Sequence, residues 1–243
     1  MTILVAVGLV IALAVPAEAL LVQVNGQTRF KDTFENDTLG VAPPDNPQEG
    51  SWSLAGGTTA GRATNAASPG PFVGSQYMLI PGGGAFHRTK ANLTLTANAG
   101  ATVNVAYMMY IPSGQNNSFS TGFNLIDDAG SLFGVFSHST NLNIQDIKSN
   151  AQFGPGFTLD EWQRVDVDYV VNAAQSTYDV TLTNSHGVNM YTLQANANSG
   201  KLAGIGLVTA DTSSIVHYVD VIPEPATMSL LALGALMILR RQR

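Results

Sequence analysis

Between residues 102 and 221 apolar and polar side chains alternate in short runs. Val103, Val105, Tyr107, Met109 and Ile111 are interleaved with Thr102, Asn104 and Ala106. A period of two sends successive side chains to opposite faces, so this run reads as a strand with one face in a core. Ile111-Pro112-Ser113-Gly114 then supplies turn residues. Phe119 to Leu125 and Leu132 to Phe136 repeat the alternation, and Asp127-Asp128-Ala129-Gly130 joins them as a hairpin connection. Trp162, Val165, Val167, Tyr169 and Val171 mark a further long strand, with one register adjustment between Trp162 and Val165. Tyr178, Val180 and Leu182 answer it, and Asn184-Ser185-His186-Gly187 turns the chain into Val188 to Leu193. Ile205 to Val208 and Ile215 to Val221 complete the set. Trp52 and Trp162, near strand starts, are expected to be largely buried anchors. No ten-residue stretch between the two ends of the chain has a helical period. The pattern predicts an all-β protein, an antiparallel β-sandwich.

The two ends read differently. Met1 to Val15 is apolar almost throughout, and Val15-Pro16-Ala17-Glu18-Ala19 places small residues, Ala17 and Ala19, where a signal peptidase reads. Cleavage after Ala19 is expected, although the stretch lacks a positively charged start. At the other end Pro223-Glu224-Pro225 stops the β-pattern, because proline removes a backbone donor and biases its predecessor away from helix. Ala226 to Leu239 then runs without a charge. At 1.5 Å per residue about 14 helical residues span roughly 21 Å, short of the ~30 Å hydrocarbon core. Such a helix lodges in a membrane transiently, with Arg240, Arg241 and Arg243 holding its end on the cytoplasmic side. The organisation is therefore a signal peptide over residues 1–19, a β-sandwich domain over 20–222 and a tail over 223–243.

This order of Pro223-Glu224-Pro225, apolar helix and arginine cluster closely resembles the PEP-CTERM sorting signal of Gram-negative bacteria. The resemblance implies recognition, and cleavage near the motif, by an exosortase. It also implies export to the cell surface or extracellular matrix after transient anchoring in the inner membrane, with signal peptidase as the earlier partner.

Composition narrows what the middle can do. The chain has no cysteine, so an exported domain is held by burial and hydrogen bonds, without disulfides, thiol chemistry or cysteine-ligated zinc. Charged residues are only 12%, and Asn, Thr and Ser supply much of the polar surface, as suits an extracellular β-protein. Within residues 20–222 there are 8 Lys and Arg against 15 Asp and Glu. That balance argues against nucleic acid, whose partners need a basic footprint.

Arg29-Phe30-Lys31-Asp32-Thr33-Phe34-Glu35, followed by Gly40-Val41-Ala42-Pro43 and then Trp52, resembles the opening of concanavalin A-like, LamG-like jelly rolls of bacterial surface proteins. The run from Trp162 through alternating valines to Tyr178-Asp179-Val180-Thr181-Leu182 resembles the rear half of the same sandwich. The resemblance implies a jelly roll flanked by an N-terminal signal helix and a short C-terminal transmembrane helix. It further implies a structural Ca²⁺ where first and last strands meet, with Asp32 and Asp220 as ligands.

Catalytic constellations are missing. Retaining glycosidases of this fold carry a Glu-x-Asp-x-x-Glu strand that holds two carboxylates about 5 Å apart, and the pattern is absent here. Asp166 and Asp168 share a face of their strand, but such a pair is commonly a solvated face. His87, His138, His186 and His217 are scattered without metal-ligand spacing, and no Gly-x-Ser-x-Gly elbow is present. Sugar recognition instead needs an aromatic platform beside amide and carboxylate groups, because a pyranose has an apolar face and a hydroxyl rim. Tyr110, Asn124, His138 and Asn143 are the candidates for a glycan-binding face. The expected function is a non-catalytic surface or matrix protein associated with extracellular polysaccharide. The alternatives are a carbohydrate-binding module with a defined glycan site, or a glycan hydrolase or lyase on the same scaffold.

Overall fold

A computed structural model describes residues 20–32, 34–35, 37–40, 51–55, 62–80, 84–92, 97–113, 121–127, 132–137, 141–171, 177–195, 201–211 and 217–220. Among these residues there are seventeen strands and no helix. In chain order they are β1 (Leu20–Val24), β2 (Gln27–Asp32), β3 (Ser51–Ala55), β4 (Arg62–Thr64), β5 (Tyr77–Ile80), β6 (Gly84–Asn92), β7 (Ala97–Asn98), β8 (Thr102–Tyr110) and β9 (Thr121–Asp127). There follow β10 (Leu132–Ser137), β11 (Ile144–Asp146), β12 (Gln152–Phe153), β13 (Trp162–Val170), β14 (Thr177–Asn184), β15 (Gly187–Gln194), β16 (Lys201–Asp211) and β17 (His217–Asp220).

They form two antiparallel sheets, a β-sandwich of the concanavalin A-like jelly-roll kind. The first has nine strands along the path β15-β14-β13-β8-β17-β5-β4, with β1 paired to β8 and β2 to β1. The second has eight along β12-β11-β10-β9-β16-β6-β3, with β7 on β16. The alternating residues do what their period requires: Val103, Val105, Tyr107 and Met109 of β8 and Val165, Val167 and Tyr169 of β13 are all at most 1% exposed. They meet Leu125 and Ile205 of the second sheet in one core. Each such side chain contributes roughly 1.5–3 kcal/mol by leaving water. Asp146, 1% exposed at the end of β11, ties the two sheets: it accepts bonds from the Ser149 hydroxyl (2.6 Å), the Lys148 amide (3.0 Å) and the Gln194 amide on β15 (3.1 Å).

The first sheet is organised around β8. One of its edges pairs along its whole length with β13, from Trp162 opposite Tyr110 to Val170 opposite Thr102. Its other edge is shared: β1 takes Val103 to Tyr107 and β17 takes Met108 to Tyr110. Both run antiparallel to β8, so β17 ends at Asp220 where β1 begins at Leu20.

Three expectations are corrected. The domain opens a strand earlier than the Arg29–Glu35 stretch suggested, with the β1–β2 hairpin. Its turn is Asn25-Gly26, with φ of 52° and 73°, the pair of positive values that a tight two-residue hairpin needs. The register adjustment before Val165 does not occur, because the β8–β13 pairing is unbroken. Trp162 therefore lies on the outer face, half-buried, and Gln163 takes the inward position at 0% exposure. That amide is satisfied there: its oxygen accepts from the Thr158 amide at 3.1 Å and its nitrogen donates to the Thr158 carbonyl at 3.0 Å. The side chain of Trp52, the two terminal helices and both terminal segments lie outside the described residues.

Candidate functional site

The outward turn of Trp162 creates the most distinctive surface on the first sheet. Trp162 on β13 and Tyr110 on β8 stand directly opposite each other, with ring centroids 5.5 Å apart. Tyr77, at the start of β5 and fully buried, meets the indole edge-on at 6.0 Å. Phe72 approaches it from the loop before β5 at 6.1 Å and is 41% exposed. The group is thus an aromatic patch with a buried base, a half-buried Trp–Tyr pair and an exposed rim.

The loop that carries Phe72 is held at two points. The Tyr77 hydroxyl donates to the Ala66 carbonyl at 2.9 Å. Farther along, the Glu35 carboxylate accepts from the Ser75 hydroxyl (2.6 Å), the Ser75 amide (2.8 Å) and the Gln76 amide (2.9 Å). Gly74, at φ 79°, leaves room for this carboxylate, and a Cβ there would collide with it. Partial burial works to raise the Glu35 pKa, but the three donors outweigh it and the net shift is downward.

Asp160 forms the polar rim beside Tyr110. Its carboxylate accepts from the Ser113 amide at 2.8 Å and from the Tyr110 hydroxyl at 3.4 Å. Its backbone sits at φ 58°, a conformation uncommon for a residue with a side chain, and its amide donates to the Ile111 carbonyl at 2.9 Å. The bonds from Ser113 lower its pKa. Glu161 is engaged on the other side: it accepts from the Thr158 hydroxyl and from the amide (3.0 Å) and hydroxyl (2.8 Å) of Ser185. Burial opposes those bonds, yet its pKa is also lowered. Neither carboxylate is thereby suited to hold a proton at neutral pH, as a general acid must.

Further along β13, Arg164 and Asp166 form an ion pair at 2.7 Å, and Asn104 donates to Asp168. The bonds to Asp166 raise the Arg164 pKa. Asp166 and Asp168 are thus engaged locally, on the face that the alternation assigned to solvent.

The three described glycan-face candidates are dispersed. Tyr110 belongs to the aromatic patch. Asn124 is on β9 in the second sheet and is 2% exposed. Asn143, half-buried just before β11, packs against Gly154 and Gly156, where added side chains would strike it or its neighbour Leu142. His138 lies outside the described residues. Trp162 and Phe72 were missed as ligand candidates. The signal for Trp162 was present, since its parity is that of Arg164 and not of Val165.

Asp32 and Asp220 were expected to share a Ca²⁺. Asp32 pairs with Leu20, which pairs with Tyr107, whereas Asp220 pairs with Met108. Their backbones therefore lie in adjacent rows along β8, and the Asp220 side chain lies outside the described residues. Asp32 is 3% exposed and accepts the Phe34 amide at 2.9 Å, and Phe34 itself sits at φ 55°. Among the described residues no group of three or more His, Asp or Glu is placed to hold a metal ion. The sorting residues Pro223, Glu224, Pro225, Arg240, Arg241 and Arg243 and the cleavage residues Ala17 and Ala19 lie outside the described residues. Among those described, no helix is long and apolar enough to cross a membrane.

No protein-family profile matches the chain, and no curated protein matches it. Solved structures do. The cellulose induced protein Cip1 aligns with a TM-score of 0.50 at 12% identity, over 71% of this chain and 89% of that one. A Lotus tetragonolobus seed lectin aligns at 0.48 and 10% identity, over 72% and 93%. Arcelin-5, a lectin-like defence protein from Phaseolus vulgaris, aligns at 0.45 and 12%, over 83% and 96%. At such identities the likeness is one of fold.

Proposed function

We propose that this chain is an exported, non-catalytic carbohydrate-binding protein of the cell surface or extracellular matrix, delivered by an exosortase acting on residues 223–243. The observation that carries the binding reading is the Trp162–Tyr110 pair, flanked by exposed Phe72 and rimmed by Asp160. An apolar ring face beside an ionised acceptor suits a pyranose, which offers axial C–H groups to the ring and hydroxyl donors to the carboxylate. Their lowered pKa values keep Asp160 and Glu161 ionised as hydrogen-bond acceptors near neutral pH.

Titration of the purified protein with neutral oligosaccharides, followed by calorimetry, tests the reading. A weak site with a dissociation constant of roughly 0.1–1 mM is expected. Loss of one aromatic contact worth about 1–1.4 kcal/mol should weaken it up to tenfold in Trp162→Ala, with a smaller loss in Tyr110→Phe. Affinity unchanged in Trp162→Ala, or sugar release by the wild type, would reject it.

The sorting reading has its own test. Intact-mass measurement of the protein from its native host should give a species that begins after Ala19 and ends near Pro223–Pro225. A mature species that retains Arg243 would remove the exosortase from the account.

A further inference from the structure

The Trp162 patch carries more than a neutral sugar needs. A neutral acceptor serves a hydroxyl rim, whereas the acceptor beside these rings is a full charge. Asp160 is exposed, and the Ser113 amide (2.8 Å) and the Tyr110 hydroxyl (3.4 Å) both donate to its Oδ1. Oδ2 is thereby left to take a donor from outside, on the Tyr110 side of the patch. The local structure asks only for an oxygen at this position. Asparagine tolerates a φ of 58° as aspartate does, and its amide oxygen would accept the same two bonds.

The rings point to the same ligand charge for a separate reason. An aromatic face is partly negative and attracts a cation within about 6 Å of its centroid, Trp most strongly. Trp162 has the rings of Tyr110, Tyr77 and Phe72 around it at 5.5, 6.0 and 6.1 Å, and Phe72 is 41% exposed. The protein's own described cations in this region are engaged elsewhere. Arg164, the next outward residue of β13, is paired with Asp166 at 2.7 Å, and His186 acts on Glu161, toward the β14–β15 turn.

We propose that the patch selects saccharides that carry free amines, of the glucosamine class, with the ammonium group held between the Asp160 carboxylate and the Trp162–Tyr110 rings. The inference rests on the saccharide reading of this patch and deepens it. Sugars whose amines are acetylated, or that offer hydroxyls alone, use the same rings and bind more weakly. Uronates are repelled by Asp160.

Calorimetric titration of the full-length chain at about pH 5.5 tests it, with a glucosamine hexamer as the charged probe and the fully N-acetylated hexamer as the neutral one. At that pH the sugar amines are protonated, and Asp160, whose pKa lies below the ordinary 3.8, is ionised. Wild type should bind the charged hexamer about five- to tenfold more tightly, from an exposed ion pair and a cation–π contact together. The preference should shrink between about 50 and 500 mM salt as the ion pair is screened. Asp160→Asn should abolish it while leaving the melting temperature and the affinity for the acetylated hexamer unchanged. Trp162→Ala should weaken both hexamers. A merely structural Asp160 predicts that the Asn variant loses both ligands alike or neither, and either result overturns the proposal. So does a lysine hexapeptide that binds as tightly as the charged hexamer, which would make the patch a site for basic peptide. Equal affinity of wild type for the two hexamers rejects the charge selectivity and leaves the saccharide reading standing, whereas binding of neither rejects both. Should Asp160→Asn not fold, the salt series decides: a preference undiminished by salt rejects the role of Asp160.

Discussion

Glu35 is a surface carboxylate placed where three donors converge, and its effect extends beyond its own contacts. By accepting from Ser75 and Gln76 it fixes the loop that carries Phe72 against Trp162. Its pKa in the folded protein lies below the ordinary 4.5, so folding favours the ionised form. The contribution is therefore fully present above about pH 4.5 and is lost as the pH falls through the folded value. Glu35→Gln should cost about 1 kcal/mol at pH 7, the usual worth of charge-assisted bonds at a partly exposed site, and flatten the loss of stability between pH 5 and pH 3. Urea unfolding at both ends of that range checks it, and a pH slope identical to wild type would refute the assignment. Nothing in the sequence paired Glu35 with Ser75, because the two are 40 residues apart and meet only through sheet topology. Trp162 was more legible. Its parity with Arg164 was readable from the alternation, and the assumption that tryptophan seeks the core displaced it.

At the scale of elements, the long alternating runs were readable because burial of one face enforces the period on each residue. The β8, β13 and β14 strands are those runs almost to the residue. The β1–β2 hairpin was not read, although Asn25-Gly26 between apolar runs is a strong hairpin signal. The apolar run from Met1 to Val15 blends into Leu20 to Val24, so composition alone does not mark where the first strand begins. One strand departs from usual protection: β15 is eight residues long, uncharged and continuous in register with β14, its partner among the described residues. Val188 and Met190 on it are 71% and 70% exposed. Sheet edges are ordinarily guarded by charge, proline or a bulge. Replacing both residues by lysine should leave stability within about 0.5 kcal/mol per site, because neither is buried, and should slow aggregation of concentrated protein. Light scattering during incubation, beside a urea titration, measures both effects. Faster aggregation of the double variant would contradict the argument.

Across the whole molecule, the division of one edge of β8 between β1 and β17 brings the first and last strands of the domain together end to end. The sandwich is therefore closed by its final strand, which is inserted between β8 and β5 and pairs with both. Period and composition could not reveal this, because a four-residue strand has too little pattern and its neighbours are more than 100 residues away in sequence. The arrangement bears on processing. β17 ends at Asp220, so a cut near Pro223–Pro225 leaves every described strand intact, whereas a cut before His217 removes one with partners on both sides. A protein of residues 20–222 should thus melt with the full-length chain. One of residues 20–216 should expose the facing edges of β8 and β5, give up several of the ~5–15 kcal/mol that hold a domain, and melt at least 10 °C lower. Scanning calorimetry of the two forms decides between a closing strand and a dispensable tail. Equal melting temperatures would mean that β17 merely lies in the sheet, and that the position of the proposed cut carries no consequence for the fold.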